Sequence, residues 1–171
     1  MARKIPTIDL SRLGDDKSLA IAAYGQAVAA YRYIVLAEKS EDARLRQSFE
    51  DMVRQENAQR DRTQELLTRL FPAACFFLSS ADKSLVCVGP RLVDARDDAR
   101  SDEAMKLIIA SEKRAVSFYT RYSEAAQAAE IRTLFHELAT QGLTRVRELR
   151  GVFHAAGKQI VESCPIQWSS N

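Results

Sequence analysis

The sequence predicts an all-α fold, a bundle of four long helices with a long crossover between the second and the third. Its 171 residues include only six glycines and four prolines, so long stretches contain no residue that breaks a helix. Within four of these stretches, apolar residues recur in alternating steps of four and three, which is the spacing of one helix face. Short connections follow the first and third stretches, whereas residues 73–100, too many for a hairpin link, separate the second from the third.

The first helical hairpin is predicted from caps and from one proline. Asp15 or Asp16 is a suitable N-cap for the first helix, and Ser40 is expected to cap the second. Pro72 disfavours helix in the residue before it, so the second helix should end there. The predicted helices of this hairpin span about residues 16–38 and 41–70.

The second hairpin follows the crossover and leads into a tail. Ser101 precedes two acidic residues and should start the third helix, and a tight join near Ala128 leads to the fourth. Gly157 is expected in the C′ position that ends the fourth helix. The predicted segments are helices at about 102–126 and 130–156 and a tail at 157–171.

Length and charge restrict the class of protein. One sizeable core suits a chain of this length, so residues 1–171 are predicted to form a single domain. The 25 basic and 23 acidic residues are mixed along the chain, without a block that would follow a phosphate backbone, so nucleic acid is not an expected partner. The N-terminus lacks the apolar core of a signal peptide, and no apolar run approaches the roughly 18 residues of a membrane span. We therefore expect a cytoplasmic protein without a membrane partner.

The cysteines give little functional signal. Cys75, Cys87 and Cys164 are odd in number, far apart and without a C-x-x-C pair. This spacing does not suit a disulfide framework, a zinc finger or a rubredoxin-type site. They are interpreted as small buried residues, with a redox role as the alternative.

Polar residues interrupt the predicted interior face of every helix near its middle. These residues are Gln26 in the first helix, Glu56 and Gln59 in the second, Glu112 in the third and Arg145 in the fourth. In a bundle they should converge on one level, where Gly142 is expected to open space. An interruption in all four helices favours a shared site over an accident of packing.

Four segments carry a resemblance to a known family. "GQAVAAYRYIVLA", "FEDMVRQENAQR", "SEKRAVSFY" and "LFHELATQGLTRVREL" resemble the core helices of rubrerythrin-like members of the ferritin superfamily, over roughly Leu19 to Leu149. The resemblance implies a ferritin-like up-down-down-up bundle, assembly as a homodimer through an apolar helix face, and iron or peroxide-linked oxidoreductase activity. The family's di-iron centre uses one glutamate from each of two helices and a Glu-x-x-His pair from each of the others. Without a rubredoxin-like motif, such activity would need an external electron donor.

The resemblance places the family's ligands on positions that are mostly changed here. In chain order these positions are Gln26, Glu56, Gln59, Glu112, Gly142 and Arg145. Only Glu56 and Glu112 keep a ligand of the family. His136 and His154 lie away from the site and are expected at the surface or its boundary.

The charges of the degenerate site leave two alternatives open. Arg145 can neutralise one of the two acids, Glu56 and Glu112, and the remaining charge is removed either by a shared proton or by one bound cation. The first alternative is a non-enzymatic structural or interaction protein whose core is held by a Glu-Arg-Gln network. The second is a single, weakly held iron, manganese or zinc ion at the two glutamates, with Gln26 and Gln59 as further donors, together with the metal-dependent oxidoreductase role that the resemblance implies. Hydroxyls of Tyr33 and Tyr119 can join either arrangement.

Overall fold

The computed structural model describes residues 9–89 and 98–155, and within these ranges the secondary structure is entirely helical. The α-helices are α1 at Asp15–Lys39, α2 at Ala43–Leu70, α3 at Ser80–Ser84, α4 at Asp98–Ala125 and α5 at Ala129–Ala155. A 3-10 turn at Leu10–Arg12 precedes α1. Side chains of α4 are described from residue 102. The all-α prediction is confirmed for the described part of the chain.

Two antiparallel hairpins, α1 with α2 and α4 with α5, make up the bundle. In the first, Gln26 Nε2 donates to Thr63 Oγ1 at 3.2 Å, and further along α1 the ring of Tyr33 lies 6.5 Å from that of Phe49, which is earlier in α2. In the second, the rings of Tyr122 and Phe135 are 4.9 Å apart at the end of the hairpin that holds its tight join.

Antiparallel contacts also join the two hairpins. The Tyr122 hydroxyl of α4 donates to Asp15 Oδ1 at the start of α1 at 2.7 Å, whereas Tyr33, late in α1, donates to the earlier Glu112 of α4. On the opposite side, Arg62 of α2 pairs with Glu137 of α5. The directions of the four long helices are therefore up, down, down and up.

The core consists of two apolar clusters with a polar level between them. The cluster near the α4–α5 join is built around Leu19, Phe118 and Phe135, each with no exposed surface. The cluster at the other end includes Phe49 and Leu149. Burying side chains of this size stabilises the bundle by roughly 1.5–3 kcal/mol each.

The N-cap of α2 differs from the prediction. Asp42, not Ser40, caps this helix, and its Oδ1 accepts hydrogen bonds from the backbone N–H groups of Arg44 at 2.8 Å and Leu45 at 2.9 Å. The Ser40 hydroxyl instead donates to the Leu36 carbonyl oxygen at 2.6 Å and so ends α1. A carboxylate can bind two of the free N–H groups and also neutralise the positive end of the helix dipole, which a hydroxyl cannot.

The start of α1 also differs in detail. Gly14 occupies the N-cap position, and Asp15 and Asp16 lie in the first turn. The Asp15 carboxylate reaches the other hairpin, where its Oδ2 accepts from Ala128 N at 3.0 Å. The predicted tight join near Ala128 is present between α4 and α5 and is held by this contact.

The crossover contains α3 and covers the edge between α1 and α4. Ser79 and Asp82 form a capping box at the start of α3. After α3, Leu85, Val86 and Cys87 are buried. The crossover thus encloses the core on a side that the four long helices leave open.

Helix α4 begins four residues before the predicted start at 102, because nothing in the sequence of residues 98–101 breaks a helix. The prediction of a fourth helix at 130–156 agrees with α5 to within one residue. The predicted end at Gly157 and the tail at 157–171 lie outside the described residues.

Helix α1 differs from the expectation that no apolar segment is long enough to span a membrane. An 18-residue window within its 25 residues has a mean hydropathy of 1.3, so by length and composition this helix is sufficient to cross a membrane. However, 61% of that window is buried inside the bundle, as is usual for a core helix. The apolar character of α1 is therefore explained in large part by its central position.

Candidate functional site

Glu56, Glu112 and Arg145 meet in the polar level of the core, as the sequence predicts. Their residues are 2%, 4% and 2% exposed, respectively. Arg145 Nη2 lies 2.8 Å from Glu56 Oε1, and Arg145 Nε lies 3.5 Å from Glu112 Oε1. One guanidinium from α5 thus contacts carboxyl groups from both α2 and α4.

Hydrogen bonds from other helices complete the network around these charges. The Tyr33 hydroxyl donates to Glu112 Oε1 at 2.5 Å. Gln59 Oε1 accepts from Arg145 Nη2 at 3.4 Å, a long contact that holds the guanidinium from the α2 side. Gln59 is only half-buried, so it forms the edge of the site and not its centre.

Gln26 lies in the same level but does not reach the carboxyl groups by a hydrogen bond. Its Nε2 donates to Thr63 Oγ1 at 3.2 Å, and the Thr63 hydroxyl donates to the Gln59 carbonyl oxygen at 2.8 Å. Gln26 Oε1 and Arg145 Nη1 are buried and have no hydrogen-bond partner among the described residues. Both residues line a cavity of about 20 Å³, together with Glu56, Glu112 and others. A volume of this size accommodates about one water molecule.

Burial and mutual repulsion of the acids control the protonation of the site. Burial raises the pKa of Glu56 well above its usual value, the charge of Glu112 and a hydrogen bond between the two carboxyl groups raise it further, and Arg145 opposes the shift. Burial alone would lower the pKa of Arg145, but Glu112 and Glu56 raise it above its usual value. A proton held by Glu56 reduces the negative charge that Arg145 has to balance, which lowers the cost of charge in the core.

The nearby tyrosines remain protonated. Burial raises the pKa of Tyr33 well above its usual value, and the charges of Glu112 and Glu56 raise it further. Burial and the same two acids raise the pKa of Tyr119. Tyr33 therefore acts as a hydrogen-bond donor to the site.

The residues present do not fit a di-iron centre. Among the described residues, no group of three or more histidine, cysteine, aspartate and glutamate side chains is arranged to hold a metal ion. Arg145 occupies the position between the two acids and would repel a cation there. His136 and His154 are exposed, as predicted, and cannot replace the missing donors.

Gly142 does not open space at the site, which corrects an expectation. A Cβ atom added to it would lie 2.5 Å from Val116 Cγ2 and 3.9 Å from Glu112 Oε2. The glycine instead permits a close approach of α5 to α4, and Val116 fills the volume that a longer side chain at this position would need. A carboxylate cannot enter the site from residue 142 without a shift of Val116.

A second buried arginine was missed by the sequence reasoning. Arg32 is 1% exposed, and its guanidinium donates to Ser111 Oγ at 2.7 Å and to the Val88 carbonyl oxygen at 2.8 Å. It lies on the side of α1 that faces α4 and the crossover, outside the stripe that steps of four and three select. The sequence did contain a signal for this burial. Helix α1 is apolar on all sides, and a helix of this kind has no polar face on which an arginine would be solvated.

The cysteines agree only in part with the prediction of buried thiols. Cys87 is buried, whereas Cys75 is exposed in the crossover. Pro72 and the turn after it bring residues 73–77 to the surface, so the apolar composition of this segment did not indicate burial. Cys164 lies outside the described residues.

Comparisons with known proteins support the fold and give no function. No protein-family model matches the chain, and no curated protein does. A solved structure of a hypothetical protein from Pyrococcus furiosus matches with a TM-score of 0.73 and 17% sequence identity, over 88% of this chain and 95% of that one. Nearly the whole helical arrangement therefore occurs in another chain, and at this identity the likeness concerns the fold alone.

Proposed function

We propose that this protein is a ferritin-like, rubrerythrin-like bundle in which a guanidinium replaces the metal centre, and that it acts as a structural or interaction protein and not as an oxidoreductase. The observation that carries the proposal is the position of Arg145, which contacts Glu56 at 2.8 Å and Glu112 at 3.5 Å. These are the acids that the resemblance assigns as remaining ligands. Arg145 balances their negative charge, and the Tyr33 hydroxyl donates a hydrogen bond to Glu112.

Charge balance supports this proposal. A bound cation supplies positive charge that holds acidic side chains together inside a low-dielectric core, and Arg145 supplies the same charge by a covalently attached group. Its contacts tie α2, α4 and α5 to one another, and Tyr33 adds α1 through Glu112. The network therefore sets the register of four helices, which is the best-attested use of buried polar groups.

A single weakly held metal ion is the second candidate, and one observation favours it. The carbonyl oxygen of Gln26 is buried beside the two acids and has no hydrogen-bond partner among the described residues. Carbonyl and carboxylate oxygens are suitable donors for hard divalent cations. Such an ion would compete with Arg145, because the guanidinium already contacts both acids and repels a second cation beside them.

Metal analysis of the full chain distinguishes the two candidates. The protein is produced in medium supplemented with iron or manganese, purified without chelator and analysed for bound metal, and then titrated with manganese, iron(II) and zinc. The proposal predicts no metal in stoichiometric amount and no binding that depends on the two acids. Stoichiometric metal that is lost in Glu56→Gln and Glu112→Gln, but kept in the control Glu65→Gln on the exposed side of α2, would overturn it.

A further inference from the structure

A groove runs along the surface of the bundle between α2 and α5. Three open cavities of about 370, 470 and 400 Å³ follow one another in it, from the end of α5 towards its start. The first and second share Gln55 and Glu148 in their linings, and the second and third share Arg62 and Leu134. The groove is therefore continuous along most of α5.

The groove has an apolar floor and a polar rim. Buried apolar side chains form the floor, and in chain order they are Met52, Leu66, Leu134 and Leu138. In the rim, Arg62 pairs with Glu137 and Arg69 pairs with Glu130 across the two helices. The two arginine side chains remain 57% and 54% exposed, so each can make a further contact. Such a groove suits an extended peptide that carries apolar side chains at intervals.

We propose that residues 158–168 of the same chain occupy this groove as an extended segment that runs back along α5. The 27 residues of α5 have a length of about 40 Å, whereas the 16 residues that follow it, 156–171, can span about 50 Å. Gly157 can reverse the chain directly after the helix, because glycine readily adopts the left-handed conformation that ends helices. The proposal concerns a surface outside the Arg145 network and is independent of the proposed function.

The sequence of this segment has the pattern that the groove needs. Alternate residues of an extended chain face the same side. One side carries the apolar residues Ile160, Cys164, Ile166 and Trp168, and the other side is more polar. Glu162 is the one charged residue on the apolar side, and the amide of Gln55 in the groove can donate a hydrogen bond to it.

The spacing of the segment also matches the groove. After a reversal at Gly157, a rise of about 3.3 Å per extended residue against about 1.5 Å per helical residue brings Cys164 level with Gln141. Gln141 accepts a hydrogen bond from Gln59 across the two helices. Ala58, the neighbour of Gln59 in α2, lines the middle of the groove and lies at the same level.

The same spacing brings Trp168 level with Leu134 at the far end of the groove. The cavity there is lined by Leu66 and Leu134, with Arg62 and Arg69 beside them. A tryptophan ring can pack on the leucines and lie against a guanidinium, which is a favourable cation–π contact. A segment of the same chain also reaches the groove at a high effective concentration, which favours it over a separate peptide.

The first test joins the segment to the groove through Cys164. In the full chain with its other two cysteines replaced by alanine, Ala58→Cys is expected to form an intramolecular disulfide with Cys164 on mild oxidation. The control is Leu143→Cys, since Leu143 lies two residues after Gln141 but is 45% exposed and does not line the groove. The disulfide at residue 58 should form at least about tenfold faster, because only that pair is held together. Mass spectrometry distinguishes disulfides within one chain from those between chains.

The second test uses Trp168, the single tryptophan of the chain. Acrylamide should quench its fluorescence several-fold less in the folded chain than in the urea-unfolded chain, because the groove shields the ring. Ala58→Arg changes an exposed residue of α2 and fills the groove, so it should raise the quenching towards the unfolded value. Leu143→Arg is the control and should leave the quenching unchanged, and circular dichroism confirms that both variants fold.

Three results would overturn the proposal. The first is an equal rate of disulfide formation at residues 58 and 143, and the second is a disulfide that forms only between two chains. The third is quenching of Trp168 that is the same in the folded and unfolded chain, or that is low and does not respond to Ala58→Arg, since the ring is then exposed or buried elsewhere.

Discussion

Replacing Arg145 by leucine should destabilise the protein more than any exposed substitution of the same kind. The change removes the guanidinium that contacts Glu56 at 2.8 Å and Glu112 at 3.5 Å, and it leaves two acids in surroundings where their side chains are 2% and 5% exposed. Removing one partner from a buried ion pair costs about 3–5 kcal/mol, a large part of the roughly 5–15 kcal/mol by which domains are stable.

Protonation limits this loss at low pH. When Arg145 is absent, both carboxyl groups must be protonated for the core to remain uncharged. Above the pKa of these groups in the unfolded chain, keeping each proton in the folded state lowers the free energy of unfolding by about 1.4 kcal/mol per pH unit. We therefore expect Arg145→Leu to lower the free energy of unfolding by about 3 kcal/mol at pH 5 and by more at pH 8. Leucine carries no group that could neutralise the two acids, and the cost of a cavity does not depend on pH, so the pH dependence of the loss reports the stranded acids.

The assay is urea unfolding followed by circular dichroism at both pH values, with Arg147→Leu as the control. Arg147 lies two residues away on the exposed side of α5 and should change the free energy of unfolding by no more than about 0.5 kcal/mol. Combining Arg145→Leu with Glu56→Gln should recover part of the loss, since one stranded acid is then neutral. A loss in Arg145→Leu no larger than in Arg147→Leu would refute the reasoning.

Two further predictions concern the proton at Glu56 and the packing at Gly142. The pKa of Glu56 is raised in the folded state, so Glu56 keeps its proton in the folded protein at pH values where it loses it in the unfolded chain. The free energy of unfolding should therefore fall as pH rises above about 4.5, by up to about 1.4 kcal/mol per pH unit. Glu56→Gln should remove this dependence, and unfolding curves that keep the same slope in wild type and variant would contradict it. Gly142→Ala should destabilise by about 1–3 kcal/mol because its Cβ would lie 2.5 Å from Val116 Cγ2, and Gly142→Ala with Val116→Ala should regain part of the loss. Gly151→Ala is the matched control in the same helix, since nothing lies within 4 Å of its added Cβ, and it should stabilise by about 0.5–1 kcal/mol.

The bundle and the level of its polar residues could be predicted because both depend on periodicity. Apolar spacing selects the interior face of a helix whatever its neighbours are, so Glu56, Glu112 and Arg145 were placed correctly before any contact was known. Gly142 shows the limit of this approach. A missing side chain suggests space, but the distance between α4 and α5 depends on both helices, and here Val116 fills the space.

Two other differences arise from contacts that a linear pattern does not contain. Ser40 and Asp42 are both good N-caps, and the choice depends on which side chain reaches the free N–H groups. Arg32 is buried because the crossover returns to α1 and supplies the Val88 carbonyl oxygen, an acceptor more than fifty positions away in the sequence. The crossover had no sustained period, so its path could not be anticipated.

The position of Arg145 is tested most directly by a crystal structure of protein purified from iron-supplemented medium, with diffraction data collected at the iron absorption edge. We expect no anomalous peak between α2 and α4, and the guanidinium of Arg145 within hydrogen-bond distance of Glu56. Anomalous peaks bridged by Glu56 and Glu112, with Arg145 turned away from them, would contradict the account.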